Sequence, residues 1–273
     1  MNLLGETIGI ISIKGGVGKT TTTVTLAAAL AKEFGKRVLA IDANFSAPNL
    51  GLHLGIVNPE TTLHEVLAGK KDITKAIINT EHGFDIIPAA LESKLQMDYL
   101  DLKKHIQKIK NHYDIILLDS SPNLNKEILA TMVSSDRLLV VSTPDYPTIS
   151  CTMRAVKVAQ QKGTPIAGII LNKVHKKNFE LSIQEIEKQS NNSVLAVLSH
   201  DLSMLEALSL TRTPHSFDDR SDPVIEMNKL AGSLIGETYQ DPRILGSLRS
   251  RFDRNKKISE LNRKLFMNDE YGR

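Results

Sequence analysis

Apolar runs of strand length alternate with helix-length amphipathic stretches along most of the chain. The strand-length runs cover residues 8–13, 38–41, 84–88, 114–118, 137–142, 166–171 and 194–198. They are continuously apolar rather than alternating, which marks strands buried on both faces. The helical patterns between them cover residues 20–34, 62–68, 97–110, 126–133, 148–161, 179–188 and 222–239, and Gly35 stands where the first helix should stop. This order predicts an α/β fold: a doubly wound, mostly parallel sheet flanked by helices, joined by right-handed crossovers. Such sheets bind ligands at the C-terminal ends of their strands. Beyond residue 239 the alternation stops. Asp241-Pro242 ends the preceding helix, and the rest is charged and helix-compatible. The expected division is therefore a body of residues 1–239 and a basic tail of residues 240–273.

The segment Ile13-Lys14-Gly15-Gly16-Val17-Gly18-Lys19-Thr20-Thr21 joins the first strand to the first helix. Strand, glycine loop and helix in succession form the layout of a phosphate-binding loop. The glycines let the backbone N–H groups of Gly15 to Thr21 approach a polyphosphate, and the helix N-terminus adds positive potential. Lys19 can reach the β- and γ-phosphates, and the Thr20 hydroxyl can ligate Mg²⁺. Two further carboxylates end strands. Asp42 closes Leu39-Ala40-Ile41-Asp42, where it could orient an attacking water or hold Mg²⁺ through one; a turn or cap role is the plain alternative. Asp119 follows the apolar run Ile115-Ile116-Leu117-Leu118, the arrangement that places a charge near the Mg²⁺ water shell.

The glycine loop fails the strict G-x-x-x-x-G-K-[ST] pattern, because position 13 is Ile. Lys14-Gly15-Gly16-Val17-Gly18-Lys19-Thr20 instead resembles the deviant Walker A loop of the MinD/ParA family of P-loop ATPases. That resemblance covers about residues 6–239 and implies ATP and Mg²⁺ as cofactors, with Thr20 and Asp119 at the metal. It also implies an ATP-bound homodimer in which Lys14 reaches the partner's nucleotide. Asp42 matches the first acid of the family's Asp-x-Asp segment, which assists hydrolysis; the second position here is Asn44, a departure. The family's P-N-L segment is matched at Pro48-Asn49-Leu50. After Asp119 the family continues with Ser or Thr and then Pro, whereas here Ser121 is inserted before Pro122. This stretch is expected to be the switch that senses the γ-phosphate. Asn172, at a strand end, and Asp201, after Leu198-Ser199-His200, match the family's adenine contacts, with turn capping as the alternative. Thr143-Pro144-Asp145-Tyr146-Pro147 resembles the T-x-P-[DE] loop and reads equally as a turn or as a nucleotide or dimer contact.

Composition narrows the family. A single cysteine, Cys151, allows no internal disulfide and no cysteine metal cluster. This removes the iron–sulfur and zinc-binding branches. No histidine spacing suggests a metal site beyond Mg²⁺, no apolar run is long enough to span a membrane, and residues 1–7 lead directly into the first strand. The expected compartment is the cytoplasm. Glu206-Ala207-Leu208 and Asp222-Pro223-Val224-Ile225 look more like the MinD side than the ParA side. The resemblance then implies a spatial regulator, positioning cell-division or other polar cargo through an activating or cargo protein.

Charge is unevenly placed. The whole chain carries +3, while residues 240–273 hold nine Lys/Arg against five Asp/Glu, a net +4. On a helical wheel Ile244, Leu245, Leu248 and Phe252 share one face, and Ile258, Leu261, Leu265 and Phe266 share another. A basic amphipathic helix can lie on an anionic membrane at the inner face of the cell membrane, grip DNA phosphates, or pack on its own body. The three corresponding functions are a MinD-like membrane-cycling ATPase, a ParA-like partition ATPase binding DNA, and a switch acting only through protein partners.

Overall fold

The seven apolar runs become seven of the eight strands of one sheet in a computed structural model, which describes residues 5–243 and 253–271. The strands are β1 (Glu6–Ile11), β2 (Val38–Ala43), β3 (Ile78–Asn79), β4 (Asp85–Ile87), β5 (Ile115–Ser120), β6 (Arg137–Ser142), β7 (Ile166–Val174) and β8 (Val194–Ser199). Their order across the sheet is β3-β4-β2-β5-β1-β6-β7-β8. The pairs are parallel except β3 with β4, a two-residue antiparallel edge too short to show in the sequence pattern. β1 lies between β5 and β6, so the loop that leaves it opens in the middle of the sheet's C-terminal edge.

The helices are α1 (Lys19–Phe34), α2 (Leu50–His53), α3 (Leu63–Leu67), α4 (Leu102–Ile109), α5 (Lys126–Ser134), α6 (Tyr146–Gln161), α7 (Ile183–Ser190), α8 (Leu202–Ser209), α9 (Pro214–Phe217), α10 (Asp222–Leu234) and α11 (Arg254–Tyr271). Successive strand residues feed opposite faces. Ile8 and Ile10 pack with Leu26 and Leu30 of α1 and Leu230 of α10, whereas Ile11 packs with Ile128 of α5 and Ile149 of α6. A third cluster joins Leu39, Ile41, Ile116 and Leu118 to Ile106 of α4 and Val66 of α3. Each such fully buried aliphatic side chain contributes roughly 1.5–3 kcal/mol.

Local chemistry moves several predicted ends. The expected helix over 179–188 starts at Ile183, because Ser182 and Glu185 form a capping box there. The helix expected over 222–239 stops at Leu234, before a turn at Gly236. The helix expected over 97–110 is a shorter α4 between two 3₁₀ turns.

Residues 254–271 form α11, which lies along the exposed edge of β8 and against α10. Asn262 Nδ2 donates to the Val194 carbonyl at 2.8 Å, and Arg263 Nη1 donates to the Leu195 carbonyl at 2.7 Å. A side-chain cover of this kind keeps an edge strand from pairing with another chain. Arg263 also pairs with Glu226 of α10 at 2.8 Å, both buried, and the Ser259 hydroxyl donates to the same carboxylate at 3.1 Å. The face expected to carry Ile258, Leu261, Leu265 and Phe266 is consequently split. Ile258 and Phe266 pack partly on the body, while Leu261 and Leu265 stand 57% and 52% exposed. The other expected face, Ile244, Leu245, Leu248 and Phe252, lies outside the described residues.

Candidate functional site

The loop from Ser12 to Gly18 leaves β1 and runs straight into α1. Gly18 has a φ of +93°, and a Cβ there would sit 2.3 Å from the Asn172 amide nitrogen, so only glycine fits. Lys19 begins α1 and is 7% exposed. Among the described residues its ammonium makes no hydrogen bond or ion pair. Burial lowers its pKa, and the charge of Asp119 only partly offsets this. A buried lysine facing a glycine loop and left without an anion is the arrangement that a phosphate would complete.

Asp42 and Asp119 end neighbouring strands and stand opposite each other in the β2–β5 register. Both are buried. Asp119 accepts from the Thr20 hydroxyl at 2.6 Å and from the Thr23 hydroxyl at 3.3 Å. Asp42 is wrapped by its own loop: the N–H of Asn44 donates to Oδ1 at 3.1 Å, and those of Asn49 and Leu50 donate to Oδ2 at 3.0 Å each. Burial, with the charge of Asp119, nevertheless raises Asp42 to about 8, against the three backbone donors. Burial likewise raises Asp119 to about 6, against Thr20, Lys19 and Thr23. Two carboxylates so placed favour a cation. The hydroxyl of Thr20 beside Asp119 supplies the hard oxygen donors that Mg²⁺ takes.

Lys14 is outside this cluster. Its side chain is 41% exposed, and its ammonium donates to Asp145 Oδ1 at 3.3 Å and Thr148 Oγ1 at 2.7 Å. Asp145 is the N-cap of α6, accepting from the Thr148 N–H at 3.0 Å. Burial alone would raise the Asp145 carboxyl; the Thr143, Thr148 and Lys14 hydrogen bonds overcome it and hold it below the ordinary range. The Thr143-Pro144-Asp145-Tyr146-Pro147 segment thus both caps a helix and holds the loop's outer lysine.

Asn172 and Asp201 line one cleft together with Gly18 and Thr21. Asn172 Nδ2 donates to the Val17 carbonyl at 2.8 Å, and Asp201 caps α8 through the Ser203 N–H at 2.9 Å. The structure therefore brings Gly15 to Thr21, Asp42, Asp119, Asn172 and Asp201 to one end of the sheet, with Lys14 at its rim. Sequence reasoning missed three neighbours. Lys173 donates to the Gly16 carbonyl at 2.7 Å, and Thr148 receives Lys14. Glu127 of α5 accepts from the Ser46 hydroxyl at 2.7 Å and ties the Asp42 loop to the segment after Asp119.

A parallel sheet with a glycine loop, a following lysine and a strand-end aspartate defines the class: this is a P-loop ATPase. Comparison with known proteins agrees. Residues 5–166 match the family model described as an AAA domain. An uncharacterized ATP-binding protein of Methanocaldococcus jannaschii is 34% identical over 88% of this chain and 91% of its own length. The septum site-determining protein MinD of Thermotoga maritima is 30% identical over 86% of this chain and 89% of its own. Among solved structures, MinD of Pyrococcus horikoshii in complex with Mg-ADP superposes with a TM-score of 0.80 at 30% identity, covering 84% of this chain and 96% of that one. The chain belongs to the MinD/ParA family of P-loop ATPases.

Proposed function

We propose that the chain is an ATP-hydrolysing dimerisation switch of MinD type, monomeric with ADP and dimeric with ATP, that positions cellular machinery through a cargo or activating protein. The observation that carries this reading is the division of labour between two lysines. Lys19 is buried and serves its own loop, while Lys14 stands at the rim, half-exposed and held by a replaceable contact with Asp145. A cation so placed is free to leave for a second subunit's nucleotide. In related enzymes a charge supplied to the γ-phosphate in this way contributes roughly 10³–10⁵ in rate.

In this reading Gly15 to Thr21 bind the phosphates, Thr20 and Asp119 hold Mg²⁺, Asp42 orients the attacking water, and Asn172 and Asp201 flank the adenine. The metal ion would neutralise the charge on the β- and γ-phosphates. A hydrolytic Asp42 must be ionised; a nearby cation and the three backbone donors favour that form over the burial that opposes it.

Light scattering with ATP or ADP, together with ATPase rate against protein concentration, tests the switch. ATP should double the mass and the specific rate should rise with concentration. Lys14→Ala should bind ATP and lose the concentration-dependent rate. A monomer at saturating ATP, or normal turnover by Lys14→Ala, would sink it. Co-sedimentation with anionic liposomes and with duplex DNA tests the surface used. Exposed Arg254, Lys257 and Lys264 flank Leu261 and Leu265 on the outer side of α11, a pattern suited to an anionic membrane. ATP-dependent liposome pelleting that Leu261→Ser/Leu265→Ser abolishes supports a peripheral membrane role. DNA pelleting instead supports a partition role, and neither result leaves a switch that acts through protein partners alone.

A further inference from the structure

Lys173 is a non-glycine residue in the left-handed region, with φ +56°, in the last turn of register between β7 and β8. The pairing of those strands is irregular between Leu171 and Val174, so the disturbance is centred on Asn172 and Lys173. In a regular strand two successive side chains point to opposite faces. Here both reach the same phosphate loop: Asn172 Nδ2 meets the Val17 carbonyl at 2.8 Å, and Lys173 Nζ meets the Gly16 carbonyl at 2.7 Å. The Lys173 N–H also donates to Asn172 Oδ1 at 2.9 Å, which fixes which way the amide faces. A backbone conformation unfavourable to lysine is thus kept where it turns two neighbours onto one target.

We infer that Asn172 and Lys173 are positioning residues for the phosphate loop, holding two consecutive carbonyls outward so that the next two N–H groups face the phosphate. This rests on the nucleotide reading given above. The physical link is peptide geometry. In a planar trans peptide the C=O and the N–H of the following residue point in opposite directions. No cis peptide occurs among the described residues. Holding the Gly16 carbonyl therefore aims the Val17 N–H the other way, and holding the Val17 carbonyl aims the Gly18 N–H. Gly16 has φ +75°, and a Cβ built there would meet nothing within 4 Å, so no packing on that side helps to fix its peptide plane. The loop is too rich in glycine to hold that shape alone, and β7 supplies the missing restraint.

Lys173→Met keeps the aliphatic stem of an exposed side chain and removes the donor; Lys173→Gly removes the donor and the backbone strain together. In nucleotide-free protein labelled with ¹⁵N-valine and ¹⁵N-glycine, Lys173→Met should shift the Val17 and Gly18 amide signals. ADP should bind about tenfold more weakly or worse, the range for a hydrogen bond to a charged group. Lys173→Gly should weaken ADP by a similar factor while raising the thermal midpoint of the nucleotide-free protein, whereas a merely structural lysine would move both in the same direction. ADP affinity within twofold of wild type in Lys173→Met overturns the inference. So does weakened binding with unmoved Val17 and Gly18 amides, which would put the ammonium on the nucleotide itself. If wild type fails to bind ADP, the reading of the site falls instead, and the amide shifts of the nucleotide-free variant still decide whether Lys173 holds the loop.

Discussion

Two of the places where the described residues bury charge do so in opposite ways. Under α11, Arg263 and Glu226 face each other at 2.8 Å, and Ser259 and the Leu195 carbonyl fill further hydrogen-bonding positions. Burial alone would raise Glu226, but Arg263, with Lys229 and Lys256, overcomes it and holds the carboxyl below its ordinary value. At the C-terminal edge of the sheet, Lys19 has no direct partner among the described residues. Asp42 and Asp119 stand beside each other with like charge, and all three are pushed toward their neutral forms. Burying a charge costs several kcal/mol unless it is paired. The first cluster completes its pairing within the chain, so its role is structural. The second leaves positive and negative groups open together, which suits a ligand that carries both a polyanion and a metal cation.

The largest expected effect tests the closed cluster. Arg263→Ala leaves Glu226 buried without its main partner and should destabilise the fold by about 3–5 kcal/mol. Replacing both members by apolar side chains, as in Arg263→Met/Glu226→Leu, should restore most of that loss. Denaturant unfolding of the three proteins measures it. A single-mutant loss below about 1 kcal/mol would mean that the pair does not hold α11 to the body, and the contrast would dissolve.

The next effect is a pH dependence that differs in sign between the clusters. Asp42 and Asp119 have folded pKa values above their unfolded ones. Between those values the folded state binds more protons than the unfolded state, so stability falls as pH rises. With Asp42 near 8, the nucleotide-free protein should lose about 2 kcal/mol between roughly pH 6 and pH 8. Asp42→Asn should flatten that slope. Glu226 behaves in the opposite sense, because its folded pKa is lowered: its contribution is present above the unfolded value and is lost on acidification. Thermal melts of wild type and Asp42→Asn across this range decide it, and a flat wild-type profile would argue that the two acids are ionised without cost.

Much of the open cluster was legible in the chain because its members lie in short contiguous runs. Gly15 to Thr20 form one segment, and Asp42 and Asp119 each end an apolar strand that parallel pairing must carry to the same edge. The closed cluster was not legible. Glu226 and Arg263 are 37 residues apart and meet only because α11 folds back on β8. The hold of Asp145 on Lys14 and the link from Ser46 to Glu127 likewise join residues far apart in sequence. Lys173 gave no local sign, since a left-handed turn ordinarily advertises itself with Gly or Asn. One weak signal was present: Glu226 interrupts the apolar stretch Val224-Ile225-Glu226-Met227, and an acid on a core-facing helix implies a cation from elsewhere.

The smallest effect is the most discriminating, because its sign is reversed. Lys19→Met removes a buried ammonium whose desolvation outweighs its attraction to Asp119, and it keeps the length of the side chain. In the nucleotide-free protein this should stabilise the fold by about 1 kcal/mol, since the lost charge had no bonded partner. The same substitution should weaken nucleotide binding by roughly 100-fold, the upper range for a charge-assisted hydrogen bond. Arg263→Met and Lys19→Met both delete one buried cation and keep a long apolar side chain, so hydrophobicity and volume alone would move them together. Only the presence or absence of a partner separates them. A nucleotide-free melt paired with an ADP titration reads both quantities on one sample. If Lys19→Met lowers the melting temperature as Arg263→Met does, Lys19 is already paired within the fold, and the sheet edge is not a site held open for phosphate.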